Sequence, residues 1–248
     1  KGLIYAPDLD GSCDIERGLR LARELMLDIV KMGLPVGTEV LDPVMPQYLS
    51  DLVSWAVIGA RTSESQTHRQ LASGLSMPTA FKNATDGNIN VAVDAVRTAR
   101  SAHSFLGVTG DGRSGFFRTT GNRYGHIVLR GGTAGPNYGS EHVAYARELM
   151  KKTGLTPTIM VDCSHGNSSR QPQEQERVMD DVLGQVTSGE ESIVGTMLES
   201  NLQPGSQQVK AGGKAKPGVS VTDPCLGWDQ TEKLIRAAHE RLAKGGKQ

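Results

Sequence analysis

Arg61, Lys82 and Arg130 each close a short apolar run that is typical of a buried strand. Helical patterns separate the three runs, so parallel strands would bring the three cations to one edge of a sheet. Arginine binds phosphate through two parallel hydrogen bonds, and lysine adds a point charge. A (β/α) barrel binds phosphorylated substrates at this end of its strands. The alternative is that each cation forms a separate salt bridge at its strand end. Three cations at the ends of successive strands favour a common phosphate site over this alternative.

Side chains that bind divalent metals end the later strand-like runs. The residues are His165, Glu199 and Asp223, at or after the ends of successive runs. An imidazole together with carboxylates is a ligand set that suits Mn²⁺, Fe²⁺, Co²⁺ or Zn²⁺. The alternative is that each is a hydrogen-bonded polar group at the rim of a barrel. A thiolate would fill a fourth position. Cys163 and Cys225 are near these residues in the sequence, although the pattern aims neither of them clearly at the metal.

The composition excludes several classes of protein. The 248 residues carry no net charge and the pI is near 7.2, so we expect no nucleic-acid partner and no binding to an anionic membrane. No apolar run has the length of a membrane span, and no signal peptide is seen. Three scattered cysteines are typical of a reducing cytoplasm. The chain begins at Lys1 in mid-element without a Met, and we interpret it as a fragment.

Strand and helix patterns alternate along the chain, which predicts βα units with a parallel sheet and right-handed crossovers. We count six main strands where a closed TIM barrel needs eight. The predicted fold is therefore α/β, a TIM (β/α)8 barrel without its first two strands. It forms a single domain over residues 1–248 that is incomplete at its N-terminus. Predicted helices cover residues 14–32, 46–52, 64–74, 88–101, 140–153, 172–187 and 229–244, and predicted main strands cover 36–42, 55–61, 78–82, 126–130, 158–164 and 193–200.

One stretch matches a nucleotide-binding motif that we interpret as accidental. Residues 110–115 have the spacing of the dinucleotide fingerprint, which needs a helix directly after it to receive the pyrophosphate. Residues 116–120 have a strand pattern instead. We predict a further strand over residues 104–109 and an inserted β-hairpin near residues 110–125.

Six motifs, in order along the chain, resemble those of the microbial class I 3-deoxy-D-arabino-heptulosonate 7-phosphate (DAHP) synthases. The resemblance runs from Lys1 to about residue 243. It implies a TIM-barrel enzyme that condenses phosphoenolpyruvate with erythrose 4-phosphate and releases phosphate, the first step of the shikimate pathway to the aromatic amino acids. The motifs are Gly59–Gln66, Leu71–Ser76, Phe81–Gly87, Leu129–Gly132, Asp162–Ser168 and Thr222–Trp228.

The resemblance also implies roles for particular residues. Lys82, Arg61 and His165 would be catalytic, and the metal would act as a Lewis acid on the aldehyde of erythrose 4-phosphate. We further expect a cytoplasmic homo-oligomer, a dimer or tetramer, with small-molecule substrates only. The implied phosphoenolpyruvate pocket consists of Glu39, Gly59, Ala60, Arg61, Lys82 and Arg130, and the implied ligands of a divalent Mn, Fe, Co or Zn ion are His165, Glu199 and Asp223.

This chain departs from the family pattern in several places. It lacks the family's Gly-Pro-Cys-Ser segment, whose Cys is the fourth metal ligand, and its Lys-Pro-Arg-Thr segment, which binds the aldose phosphate. We therefore expect the chain alone to be inactive, or to belong to a longer enzyme. Ala80, Ala84, Gly110 and Thr133 replace the usual glycines and lysines. Two alternatives stay open: a related synthase that uses another aldose such as arabinose 5-phosphate, and a non-catalytic paralogue that binds phosphoenolpyruvate or a partner subunit.

Overall fold

The computed structural model describes residues 2–209 and 213–245, and these residues form two compact units. The first unit comprises Lys1–Ala84 with Asn90–Ile127, and the second comprises Thr85–Ile89 with Val128–Gln248. A single domain over residues 1–248 stays a prediction. In the described part of the chain, no helix combines the length and the apolar character that crossing a membrane requires.

Helix α1 opens the first unit and agrees with the predicted helix over residues 14–32. The side chain of Asp14 caps it by accepting a hydrogen bond from Arg17 N at 3.1 Å. Gly33, at φ 82°, ends it. The elements up to the hairpin are α1 (Ile15–Lys31), β1 (Gly37–Glu39), α2 (Pro46–Leu49) with a 3-10 turn (Ser50–Leu52), β2 (Trp55–Ile58), α3 (Gln66–Ala72), β3 (Thr79–Lys82) and α4 (Ile89–Ala99).

Strands β1, β2 and β3 of the first unit pair in parallel, as the alternation of strand and helix patterns predicts. Thr38 is opposite Ala56, and Val57 is opposite Ala80. β2 is a continuous apolar run, and the first three residues of β3 are buried although Thr79 is polar, which is typical of parallel strands with both faces covered. Ile58 and Phe81 are fully buried, so these two strands contribute directly to the core of the unit.

The inserted hairpin is confirmed, but it lies earlier in the chain than predicted. Its strands are β4 (Ser104–Val108) and β5 (Ser114–Arg118), which pair antiparallel, so the segment predicted as a separate strand is the first arm of the hairpin. Phe105 is opposite Phe117, and their stacked rings have centroids 5.9 Å apart. This cross-strand contact sets the register. Residues 110–113 form the tip and β5 follows, so no helix is present to receive a pyrophosphate.

The second unit repeats the pattern of strands and helices. Strands β7 (Ile159–Asp162) and β8 (Ile193–Met197) pair in parallel, with Asp162 opposite Met197, and Val161 is fully buried. Both strands stop earlier than the sequence predicts because the residues beyond them turn out of the ladder. The other elements after the hairpin are β6 (His126–Leu129), whose first two residues belong to the first unit, and α5 (Ser140–Lys152), α6 (Glu174–Thr187) and α7 (Trp228–Gly245).

A buried histidine bonds to a tryptophan in the first unit. Trp55 Nε1 donates to His126 Nε2 at 2.9 Å, and His126 Nδ1 is 3.3 Å from the carbonyl of Tyr124. This pattern requires a neutral imidazole, because Nε2 must accept. Burial lowers the pKa of His126, and the hydrogen bond to Tyr124 offsets part of that effect.

We therefore expect His126 to weaken the fold in acid. Below about pH 6.5 the unfolded chain binds a proton at this imidazole that the folded chain resists, so the free energy of unfolding falls as the pH falls. His126→Phe should cost about 1–3 kcal/mol at pH 7.5, where Trp55 loses its acceptor. The difference between wild type and variant should shrink towards pH 5 in urea titrations. A difference that stays constant with pH would contradict this account.

Candidate active site

The three predicted metal ligands lie together in the second unit. His165 Nε2 is 3.7 Å from Glu199 Oε1 and 3.5 Å from Asp223 Oδ2. The three ligand atoms are all within 4.8 Å of one another. The side chains are 17%, 28% and 45% exposed in that order, so the cluster opens to solvent on the Asp223 side. The sequence-predicted convergence is thus present in the structure.

Asp162 orients the imidazole of His165. Its Oδ2 is 2.8 Å from His165 Nδ1, although the angles at this close contact are outside the range of a hydrogen bond. Its Oδ1 accepts a hydrogen bond from Ser164 N at 2.9 Å, and the carboxylate is fully buried. A carboxylate on Nδ1 keeps the proton there and leaves Nε2 as an electron-pair donor. His165 also has φ 51°, a left-handed conformation that costs energy in a non-glycine residue and is often found at functional sites.

The other two ligands are positioned by pairing beyond the end of β8. Leu226 N donates to Glu199 O at 2.9 Å, and Asn201 N donates to Leu226 O at 3.0 Å. Cys225 N similarly donates to Gly205 O at 3.1 Å. These bonds hold the segment that carries Asp223 alongside the segment that carries Glu199, so the two carboxylates face the same imidazole.

Neither nearby cysteine joins the cluster. Among the described residues the metal-ligand group consists of His165, Glu199 and Asp223. Burial raises the pKa of the Cys163 thiol to about 12, and the nearby charge of Asp162 adds to this effect. Burial also raises the pKa of Cys225, whose Sγ is directed at the carbonyl of Asp223 at 3.4 Å.

Arg130 belongs to a turn that packs directly on the turn of His165. Gly166 N donates to Arg130 O at 3.0 Å. A Cβ on Gly166 would lie 2.5 Å from Gly132 N, and one on Gly132 would lie 2.2 Å from Gly87 N. Only glycine allows backbones to approach so closely. Arg130 is buried, at 8% exposure of the whole residue, and its Nη1 is 3.4 Å from Gly131 O.

The remaining predicted pocket residues lie in the first unit. A Cβ on Gly59 would lie 2.3 Å from Glu39 Oε1, so the glutamate side chain packs on the glycine. Ser63, which sequence reasoning missed, donates its hydroxyl to Lys82 O at 2.7 Å and also bonds Gly59 O at 3.1 Å. Its fully buried side chain thus joins the ends of β2 and β3. Ala60 and Arg61 lie in the turn between Gly59 and Ser63, and Arg61 is exposed.

Comparison with known proteins identifies the family. Residues 1–236 match the model described as the DAHP synthetase I family. The chain belongs to that family. It is 50% identical over 244 residues to the Tyr-sensitive phospho-2-dehydro-3-deoxyheptonate aldolase of Salmonella typhimurium, covering 98% of this chain and 68% of that protein. It is 51% identical over 236 residues to the Phe-sensitive enzyme of Escherichia coli K12, covering 95% and 67%.

A solved structure of a DAHP synthetase I relative has the same fold. It is the phospho-2-dehydro-3-deoxyheptonate aldolase of Francisella tularensis, with a TM-score of 0.92 and 47% identity. The match covers 97% of this chain and 70% of that one. The predicted fold class, α/β with the βα units of a partial TIM barrel, is confirmed.

The ligand atoms of this DAHP synthetase I chain fit a divalent metal. Two ligands that are each about 2.1 Å from one transition-metal ion can be at most about 4.2 Å apart. The separations of 3.5 and 3.7 Å from His165 Nε2 satisfy that limit. One imidazole with two carboxylates is also a donor set that Mn²⁺, Fe²⁺, Co²⁺ and Zn²⁺ accept. The two carboxylates would repel each other without a cation between them.

Asp162→Asn should lower metal affinity by about 10- to 100-fold without unfolding the protein. The amide oxygen can still accept from Ser164 N, but the amide NH₂ would face His165 Nδ1 and force the ring proton onto Nε2. We would titrate Mn²⁺ by electron paramagnetic resonance and measure folding by circular dichroism. Wild-type Mn²⁺ affinity in the folded variant would show that Asp162 does not set the tautomer.

Gly132→Ala should destabilise the protein by about 1–3 kcal/mol or more, because the new methyl group meets the backbone of Gly87. Gly110→Ala is the matched control, since a Cβ there meets nothing within 4 Å. It should change the free energy of unfolding by less than about 0.5 kcal/mol. Urea unfolding of both variants measures the contrast, and equal stability would contradict the close packing of these turns.

Proposed function

We propose that this chain carries the catalytic machinery that condenses phosphoenolpyruvate with erythrose 4-phosphate to give DAHP and phosphate. The observation that carries the proposal is the grouping of His165, Glu199 and Asp223 in a chain of the DAHP synthetase I family. Support also comes from the relatives named phospho-2-dehydro-3-deoxyheptonate aldolase, which are identical to this chain at about half of the aligned positions. The reaction opens the synthesis of the aromatic amino acids.

The cations of the motifs are proposed to bind the phosphate of phosphoenolpyruvate. Arg61 and Arg130 would each offer a planar fork of donors, and Lys82 would offer a point charge. In the reaction, C3 of phosphoenolpyruvate forms a bond with the aldehyde carbon, water adds at C2, and the phosphate leaves with the oxygen that joined it to C2. The three cations would stabilise the charge on that phosphate as it leaves. The other proposed pocket residues are Glu39, Gly59 and Ala60.

His165, Glu199 and Asp223 are proposed to hold one divalent ion. That ion would supply Lewis acidity to the aldehyde of erythrose 4-phosphate. The protein's own contribution is to orient the donors: Asp162 sets the ring of His165, and the pairing beyond β8 sets the two carboxylates. We propose that Lys82, Arg61 and His165 contact the substrates or the metal and are the catalytic residues.

Another aldose phosphate is the second candidate for the acceptor. Ala80 and Ala84 flank the motif around Lys82, and each adds a methyl group where the family usually has glycine. Thr133 also replaces a lysine. Incubation with phosphoenolpyruvate, Mn²⁺ and either erythrose 4-phosphate or arabinose 5-phosphate separates the two acceptors by the phosphate released. Binding of metal and phosphoenolpyruvate without turnover of either aldose would agree both with the non-catalytic alternative and with the inactivity expected of a chain without the Lys-Pro-Arg-Thr segment.

The cellular setting is proposed from the state of the cysteines. Cys13, Cys163 and Cys225 are free thiols, which is typical of the reducing cytoplasm where we propose that the enzyme acts. A homo-oligomer, dimer or tetramer, stays a prediction, as does the absence of nucleic-acid and membrane partners.

Lys82→Ala should weaken phosphoenolpyruvate binding by about 10- to 100-fold, the loss of one charge-assisted hydrogen bond. Mn²⁺ binding should stay within error of wild type, because the metal ligands are elsewhere in the chain. Isothermal titration calorimetry measures both affinities. Lys151→Ala is the matched control, since Lys151 is an exposed residue paired with Glu148 on α5. Equal losses of metal and phosphoenolpyruvate affinity would argue against a phosphate contact at Lys82.

A further inference from the structure

Gln175 is a fully buried polar residue that the reaction chemistry does not use. It lies in the first turn of α6, next to Glu174 and Glu176. A buried side-chain amide is costly unless its donor and acceptor are both satisfied. Gln175 satisfies both on a single residue, Glu199: its Nε2 donates to Glu199 O at 3.1 Å, and its Oε1 accepts from Glu199 N at 2.7 Å.

These two bonds continue the ladder of β8 past its last paired residue. The final backbone bond between β7 and β8 runs from Cys163 N to Met197 O at 2.9 Å. Glu199 lies two residues beyond Met197, past the last register pair of β7 and β8. The amide of Gln175 presents one donor and one acceptor there, as the backbone of a neighbouring strand would. Leu226 N bonds the same carbonyl from the other side, at 2.9 Å.

The consequence is that both backbone polar groups of Glu199 are held. When the directions of its N–H and C=O groups are set, the direction of its Cα–Cβ bond is set as well. This limits where the side chain can place its carboxylate, whose Oε1 lies 3.7 Å from His165 Nε2. Partners that hold a metal ligand in this way affect metal affinity, although they do not touch the ion.

We propose that Gln175 is a positioning residue for the metal site, acting through the backbone of Glu199. The proposal rests on the proposed function, because it takes Glu199 as a metal ligand. It predicts that removing the amide weakens metal binding more than the accompanying loss of stability explains. A purely structural role for Gln175 would lower the stability of the protein and leave metal affinity unchanged.

The test compares Gln175→Met with Gln185→Met. Gln185 lies on the same helix, and its Nε2 bonds Tyr138 O at 2.8 Å and Asp181 Oδ1 at 2.7 Å instead of a metal ligand. Mn²⁺ affinity is measured by electron paramagnetic resonance with the metal alone, and the melting temperature of each metal-free protein is measured separately. Gln175→Met should weaken Mn²⁺ binding about 10- to 100-fold, whereas Gln185→Met should not weaken it.

The outcomes separate this inference from the proposed function. Wild-type Mn²⁺ affinity in folded Gln175→Met overturns the positioning role, as does an equal loss in Gln185→Met. A wild-type protein that binds no Mn²⁺ overturns the metal set itself. If Gln175→Met does not fold, Gln175→Glu takes its place in the test. The glutamate keeps the shape of the side chain and the acceptor for Glu199 N, but it places an ionised oxygen against Glu199 O. Its Mn²⁺ affinity should also fall, and unchanged affinity there overturns the inference.

Discussion

The geometry of the metal cluster depends on one buried amide, that of Asn167. Its Nδ2 donates to Leu129 O at 3.1 Å and to Asp162 O at 2.8 Å, and its Oδ1 accepts from Asn137 N at 2.8 Å. Asn137 in turn accepts from Gly131 N through its own side chain at 2.7 Å. The ends of β6 and β7 are therefore joined through side chains. An apolar residue at position 167 would remove three hydrogen bonds to backbone groups, which is more costly than the loss of one contact.

Side-chain amides and hydroxyls replace backbone partners wherever a strand ends near the site. Ser63 bonds the carbonyls at the ends of β2 and β3, and Gln175 bonds both backbone groups of Glu199 beyond β8. This arrangement has a simple cause. Residues that leave the ladder to aim a side chain at a ligand lose their regular hydrogen bonds, and a buried backbone group must find another partner. The strands are shorter than their apolar patterns for the same reason.

The metal cluster also shows how burial is graded across a site. Asp162 is fully buried and fixes the imidazole of His165, whereas Asp223 is nearly half exposed and faces solvent. A buried carboxylate that accepts from Ser164 N and lies against the imidazole is held in place and suits the orientation of a ligand. An exposed carboxylate can move to admit the ion. The left-handed backbone of His165 adds strain that the surrounding hydrogen bonds must maintain.

The sequence by itself determined the βα alternation, the parallel pairing, the rejection of the nucleotide motif and the types of side chain at the strand ends. Each of these depends on local periodicity or on the chemistry of one residue. Only the tertiary structure showed that Ser104–Val108 is an arm of the hairpin, because a half-buried strand looks the same whichever neighbour it pairs with. It alone excluded Cys163 from the cluster and revealed Asp162, Asn167 and Gln175 as supports. The partner of a buried polar side chain is decided by proximity in space, which the local pattern does not contain.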